Sequence, residues 1–198
     1  MRHVALWGLL VLGALLGLGG CVGCGAYNAL VEAEETVNRA WSDLESAYQR
    51  RSDLVPNLVE TVRGFAAQER EVLLGVAEAR SRVGQLRLGP ESLSDPEAVR
   101  RFQEAQAQLS GALSRLLVVA EQYPQLRSSE TFLTLMAQLE GTENRINVAR
   151  QRYNEAVQRY NTLVRRFPTV LVAAPLGFRP RLGFEAQAGA EVAPRVRF

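Results

Sequence analysis

The sequence predicts an all-α fold: an antiparallel, up-down four-helix bundle of long helices, after an N-terminal membrane segment and before an extended C-terminal arm. Three observations carry this. Apolar residues recur at heptad spacing through most of the chain, no charge occurs between Val4 and Val31, and the periodicity stops after Phe167, where Pro and Gly become frequent. The organisation that follows is a membrane segment over 1–25, a helical bundle over 26–167 and an arm over 168–198.

The N-terminal stretch "VALWGLLVLGALLGLGGCV" is as long as the roughly 20 apolar residues that cross a bilayer. Two readings fit it. It is a retained transmembrane helix, or it is a lipoprotein signal cut before Cys21, because "LGGC" has the form of that cleavage site. Arg2 and His3 before the segment and Glu32, Glu34 and Glu35 after it favour a domain outside the membrane. Cys21 and Cys24 spell C-x-x-C, but a redox pair needs a thiolate-stabilising context that a membrane segment does not supply.

Within the bundle the first helix carries Leu30, Val37 and Leu44, joined by Trp41 and Tyr48. "RRSDLVPN" then holds Ser52 and Asp53 as caps with Pro56 in a first turn, so the chain is expected to reverse near 52–56; a kink in one long helix is the alternative. The second helix, over 54–87, shows Leu58, Phe65, Val72, Ala79 and Leu86. "LGPESLSDPEAV" is a loop that ends in Asp95 as a cap and Pro96 at the first helical position. The third helix shows Phe102, Leu109, Leu116 and Tyr123. Pro124 breaks it, and Ser128 or Ser129 caps the last helix. There Phe132, Leu139, Ile146, Tyr153, Tyr160 and Phe167 make a seven-residue repeat, with Leu135, Thr142, Ala149, Ala156 and Leu163 three further on.

Tyr-Asn-x-x-Val appears at 27–31, 153–157 and 160–164, the last two a heptad apart. The repeat reads as packing rather than catalysis: Tyr153 and Tyr160 are core knobs, and the Asn beside each lies at the flank of the stripe. Glu34, Glu69, Gln106, Glu143 and Arg150 fall at or beside inward positions. They either reach water at the edge of the core or form a buried charged layer that sets helix register.

The composition excludes several function classes. The formal charge is +2, so nothing in it demands nucleic acid. The single histidine is His3, which rules out Glu-x-x-His di-iron sites and a Ser-His-Asp triad in the bundle. No Gly-rich phosphate loop and no acidic Ca²⁺ loop is present. No catalytic residue, metal or cofactor is expected. The predicted role is a binding or scaffold module of the cell envelope; a carboxylate-dependent envelope hydrolase, or an accessory subunit of one, is the alternative.

Partner contact is expected at Arg50, Arg51, Asp53 and Asn57 of "RRSDLVPN" and at Glu143, Asn144, Arg145, Asn147 and Arg150 of "TENRINVAR". Capping and inter-helix hydrogen bonds are the competing use of these residues. From Arg165 onward six arginines face Glu185 and Glu191, a net +4. Because helix four ends beside the start of helix one, Arg165, Arg166, Arg179 and Arg181 are membrane-contact candidates. The competing reading is an arm that packs Phe178 and Phe184 on the bundle. The expected partners are a membrane and an unidentified protein, with a second copy of the chain as a further partner.

"YNALVEAEETVNRAWSDLESAYQRRSDLVPNLVETVRGFAAQEREVL" resembles the core of the LemA family, as does "LLVVAEQYPQLRSSETFLTLMAQLEGTENRINVARQRYNEAVQRYNTLVRRFP". "GFRPRLGFEAQ" and the final "PRVRF" are similar too. The resemblance implies an all-helical antiparallel bundle tied to a membrane by an N-terminal segment, with the domain in the cytoplasm, against the charge reading above. It implies no catalytic residues.

Overall fold

The computed structural model describes residues 2–184, with side chains from residue 23 onward. The apolar segment's side chains, the lipidation candidate Cys21 and residues 185–198 of the arm lie outside that set. Among the described residues the fold is all-helical, with α1 (Arg2–Phe65), α2 (Arg70–Gln85), a 3₁₀ turn (Pro90–Ser94), α3 (Pro96–Ala120), α4 (Pro124–Arg127), α5 (Glu130–Arg165) and α6 (Val170–Ala173). From residue 23 onward, where side chains are described, no helix is long and apolar enough to cross a membrane.

α1 is the spine. Its 64 residues run about 95 Å at 1.5 Å per residue. The expected reversal near 52–56 does not occur, because α1 passes through Pro56. Proline has no N–H, so the carbonyl four residues earlier, that of Ser52, loses its helical donor. Arg80 of α2 supplies one: its Nε donates to the Ser52 oxygen at 3.0 Å. The chain reverses instead over 66–69, where no proline marks the turn. The Tyr123 hydroxyl pins it, donating to Glu69 Oε1 at 2.8 Å and accepting from Gln68 Nε2 at 2.7 Å.

Arg80→Ala should destabilise the fold by about 1–2 kcal/mol, the range for a stranded buried acceptor. In a Pro56→Ala background, which restores the helical N–H, the same change should cost much less. A denaturant double-mutant cycle checks this, and additive losses would reject the role given to Arg80.

α5 lies antiparallel to α1, as the pairs Trp41–Tyr153 and Arg51–Glu143 show. α2 runs back along α1, and α3 returns beside α2, where Arg82 donates to Gln108 at 2.9 Å. Asp95 caps α3 as expected, accepting from the Glu97 N–H at 2.9 Å with Pro96 at the first position. Ser129 precedes α5 without a side-chain cap bond. The α5 seam is buried from Phe132 to Tyr160, but Phe167 lies beyond the helix end and is 73% exposed. The seam therefore ends a heptad earlier than its spacing suggests.

The interior divides into two apolar clusters. One gathers Leu54, Leu58 and Val62 of α1 with α2, the C-terminal half of α3, α4 and the start of α5. The other gathers Leu30, Val37, Trp41, Leu44 and Tyr48 with Phe102, Tyr153 and Tyr160. Five helices, α1 to α5, enclose the first. In the second, α1 and α5 are covered by the start of α3, the 3₁₀ turn, α6 and the arm. Residues 168–184 of the arm are thus a structural substitute for helix rather than a loose appendage, and "TVLVAA" contains the one-turn helix Val170–Ala173.

Candidate functional site

A polar layer separates the two clusters. Arg51, 2% exposed, reaches from α1 between α3 and α5. Its Nη1 donates to Ser110 Oγ and to Glu143 Oε2, both at 3.0 Å, and its Nη2 donates to Gln106 Oε1. The guanidinium carbon lies 5.3 Å from the Tyr48 ring centroid. Arg150 continues the layer by donating to the Tyr48 hydroxyl at 3.2 Å. A buried charge costs heavily unless paired and hydrogen-bonded. Arg51 meets that cost only when α1, α3 and α5 stand in this register. The sequence raised a charged layer through Gln106, Glu143 and Arg150, but it did not place Arg51 at the centre or find Ser110.

The arm has a built seat on α5. Asn154 Nδ2 donates to the Phe184 carbonyl at 2.9 Å, and its Oδ1 accepts from the Phe184 N–H at 2.8 Å. Asn161 treats Arg181 the same way, at 2.7 Å and 2.8 Å. Each amide pairs with one residue's main chain as a neighbouring strand would. The spacing matches: seven helical residues rise about 10.5 Å and three extended residues span about 10 Å. Tyr153 adds a donation to the Leu182 carbonyl at 2.9 Å. Burial pushes its phenol above the ordinary tyrosine range, so it stays a donor through neutral pH.

The heptad repeat of Tyr-Asn at 153 and 160 is thereby explained, with tyrosines in the core and asparagines reading the arm. The copy at 27 serves differently, since Tyr27 is half exposed with its ring edge-on to Phe178 at 5.9 Å. Phe184 closes the seat, stacked on Trp41 at 5.9 Å and edge-on to Tyr153 at 5.4 Å. The residues that hold the arm, Asn154 and Asn161, were not singled out as a site in the sequence. Their neat heptad spacing was the available signal.

The membrane-contact candidates part company here. Arg181 is turned into the fold: its Nη2 donates to Glu34 Oε1 at 2.8 Å and its Nη1 to the Pro90 carbonyl at 2.6 Å. Its side chain is 13% exposed, so it anchors the arm rather than facing lipid. Arg165, Arg166 and Arg179 are exposed.

The partner-surface candidates divide as well. Arg51 and Glu143 belong to the polar layer, while Asn147 and Arg150 line a shallow hollow beside Phe184. Asp53 is exposed and accepts from Gln49 at 2.8 Å, and Asn57 is exposed on α1. Arg50, Asn144 and Arg145 come together in an open groove of about 600 Å³ between α1 and α5. Asp43, Ser46 and Arg152 complete its polar rim, and Ala47, Val148 and Ala149 form an apolar floor. Three arginines oppose one aspartate there. Arg152 was absent from the sequence-based set.

Among the described residues no group of three His, Cys, Asp or Glu side chains is placed to hold a metal ion. The Glu97 carboxyl is held below its usual range by its hydrogen bond with Arg100, the direction opposite to that needed by a general acid.

The chain is similar to the magnetosome protein MamQ of Magnetospirillum gryphiswaldense, with 29% identity over 141 residues covering 63% of this chain and 52% of that protein. MamQ 1 and MamQ 2 of Paramagnetospirillum magneticum match to the same extent. The chain thus spans about half the length of these curated relatives. The LemA family model matches residues 40–198, which takes in α1 from just before Trp41, the Arg51 layer, α5 and the arm. On that match, the chain belongs to the LemA family.

Proposed function

We propose that this protein is a membrane-associated binding module that offers the α1–α5 groove to an acidic segment of a partner protein. The groove is the observation that carries the reading. It couples an apolar floor at Val148, 49% exposed, to a rim of Arg50, Arg145 and Arg152. Arginine over an apolar floor suits carboxylate-bearing chains, because its planar fork pairs with carboxylates and is weakly hydrated. The two long helices that form the walls hold this surface rigid, and the polar layer at Arg51 fixes their register. Membership of the LemA family and the uncharged stretch from Val4 to Val31 support association with a membrane.

The test places a photoreactive residue at Val148, and a second at Val118 on the exposed face of α3, in the full chain expressed in its host. A discrete adduct is expected at 148 alone. It should be lost when Arg145→Glu and Arg152→Glu reverse the rim. Adducts indifferent to that reversal, or shared with 118, would reject the groove as the binding surface.

A further inference from the structure

We propose that the turn between α5 and the arm, residues 166–178, is a second membrane-contacting surface, a foot that seats in the headgroup layer of an anionic bilayer. The turn exposes what a water-facing turn hides. Phe167 is 73% exposed, Leu171 65%, Leu176 52% and Val170 42%. Apolar side chains gathered this densely at a surface mark a contact.

They are also held in place. Thr169, buried, donates through Oγ1 to the Leu163 and Arg166 carbonyls. The Phe178 N–H donates to the Ala173 oxygen at 3.0 Å. Ala173 and Phe178 pack inward with Leu30, so α6 is apolar toward the core and apolar again on its outer side. A single exposed turn that is apolar on both sides fits a surface that water does not bathe.

Charge and position name the occupant. Arg165, Arg166 and Arg179 flank the apolar tip, and no acidic residue lies between Glu155 and Glu185. The antiparallel register of α1 and α5 sets this turn level with Tyr27. From there α1 continues toward Arg2 without a charge until His3. If about 20 of those residues cross a bilayer, the headgroups lie at the height of the foot. Aromatic, apolar and arginine side chains together are what that layer accepts, with the arginines drawn to anionic lipid. The inference rests on the membrane part of the proposed function and is independent of the groove.

The full chain is reconstituted in vesicles of phosphatidylethanolamine and phosphatidylglycerol, with a photoreactive residue at Leu171, Leu9 or Leu133 in turn. Leu133 lies about 48 Å from the foot along α5. Lipid adducts are expected at Leu171 and Leu9, and several-fold fewer at Leu133. Arg165→Gln, Arg166→Gln and Arg179→Gln together, or vesicles of phosphatidylcholine alone, should lower the Leu171 yield several-fold. Lipid adducts at Leu9 with none at Leu171 would overturn the foot and leave the membrane reading standing. No lipid adduct at either position would overturn both. Protein–protein adducts at Leu171 would overturn the foot in favour of self-association.

Discussion

Trp41→Ala is expected to lower stability by roughly 3–5 kcal/mol, the cost of truncating a buried tryptophan. Trp41 is 1% exposed and meets three aromatic rings: Phe102 at 5.6 Å, Tyr153 at 5.7 Å and Phe184 at 5.9 Å. Removing the indole empties the place where α1, α3, α5 and the arm converge. The cavity cannot close easily, because the arm is held at both ends of this span by Asn154 and Asn161. Two readouts are expected together: an earlier denaturant midpoint, and proteolysis of the arm near Phe184 before the helices are cut. Trp41→Phe should cost clearly less, since it keeps an aromatic ring and removes a buried N–H that has no partner among the described residues. A loss under about 1 kcal/mol for Trp41→Ala would mean that the aromatic cluster does not anchor the arm.

Arg51→Ala is the second large effect, at about 3 kcal/mol, the lower end of the range for breaking a buried ion pair. The lower end applies because Glu143 is 41% exposed and can be solvated once abandoned. The larger part of the loss comes from Gln106, 5% exposed, whose oxygen would be left without a donor, and from the space vacated between the two apolar clusters. Glu143→Gln should therefore be mild, below about 1 kcal/mol. Pairing Arg51→Met with Gln106→Leu should recover much of the loss, since a filled apolar layer can replace a buried polar one. Chemical denaturation of the three variants measures this. Equal losses for Arg51→Ala and Glu143→Gln would show that the ion pair itself, rather than the three-helix junction, holds the layer.

The Arg51 layer also bears on the groove. Arg50 and Arg51 are neighbours in sequence and lie on different faces of α1, one at the groove rim and one in the core. Thr142 touches the groove from a buried position one residue before Glu143. The interior layer thus sets the axial position of the rim residues on the two helices. Two adjacent arginines with such different fates were read from the sequence as one surface, because helical neighbours differ by about 100° and only the packing decides which of them turns inward.

What the sequence determined by itself was local. The buried seam of α5 from Phe132 to Tyr160, the Asp95–Pro96 start of α3 and the membership of a helical family were all legible, because periodicity and capping act within a few residues. The tertiary structure decided the rest, and in each case a long-range hydrogen bond was the agent. Pro56 reads as a break until Arg80, 28 residues beyond Ser52, satisfies the stranded carbonyl and lets α1 run on to Phe65. The arm reads equally as a membrane contact or as packed on the bundle until Asn154 and Asn161 take up main-chain groups 30 and 20 residues away. Arg51 reads as surface until Gln106, Ser110 and Glu143 close around it from 55 to 92 residues off. A polar group's partner cannot be read from its neighbours in the chain. Burial makes that partner obligatory, and only the folded arrangement of α1, α2, α3 and α5 supplies it.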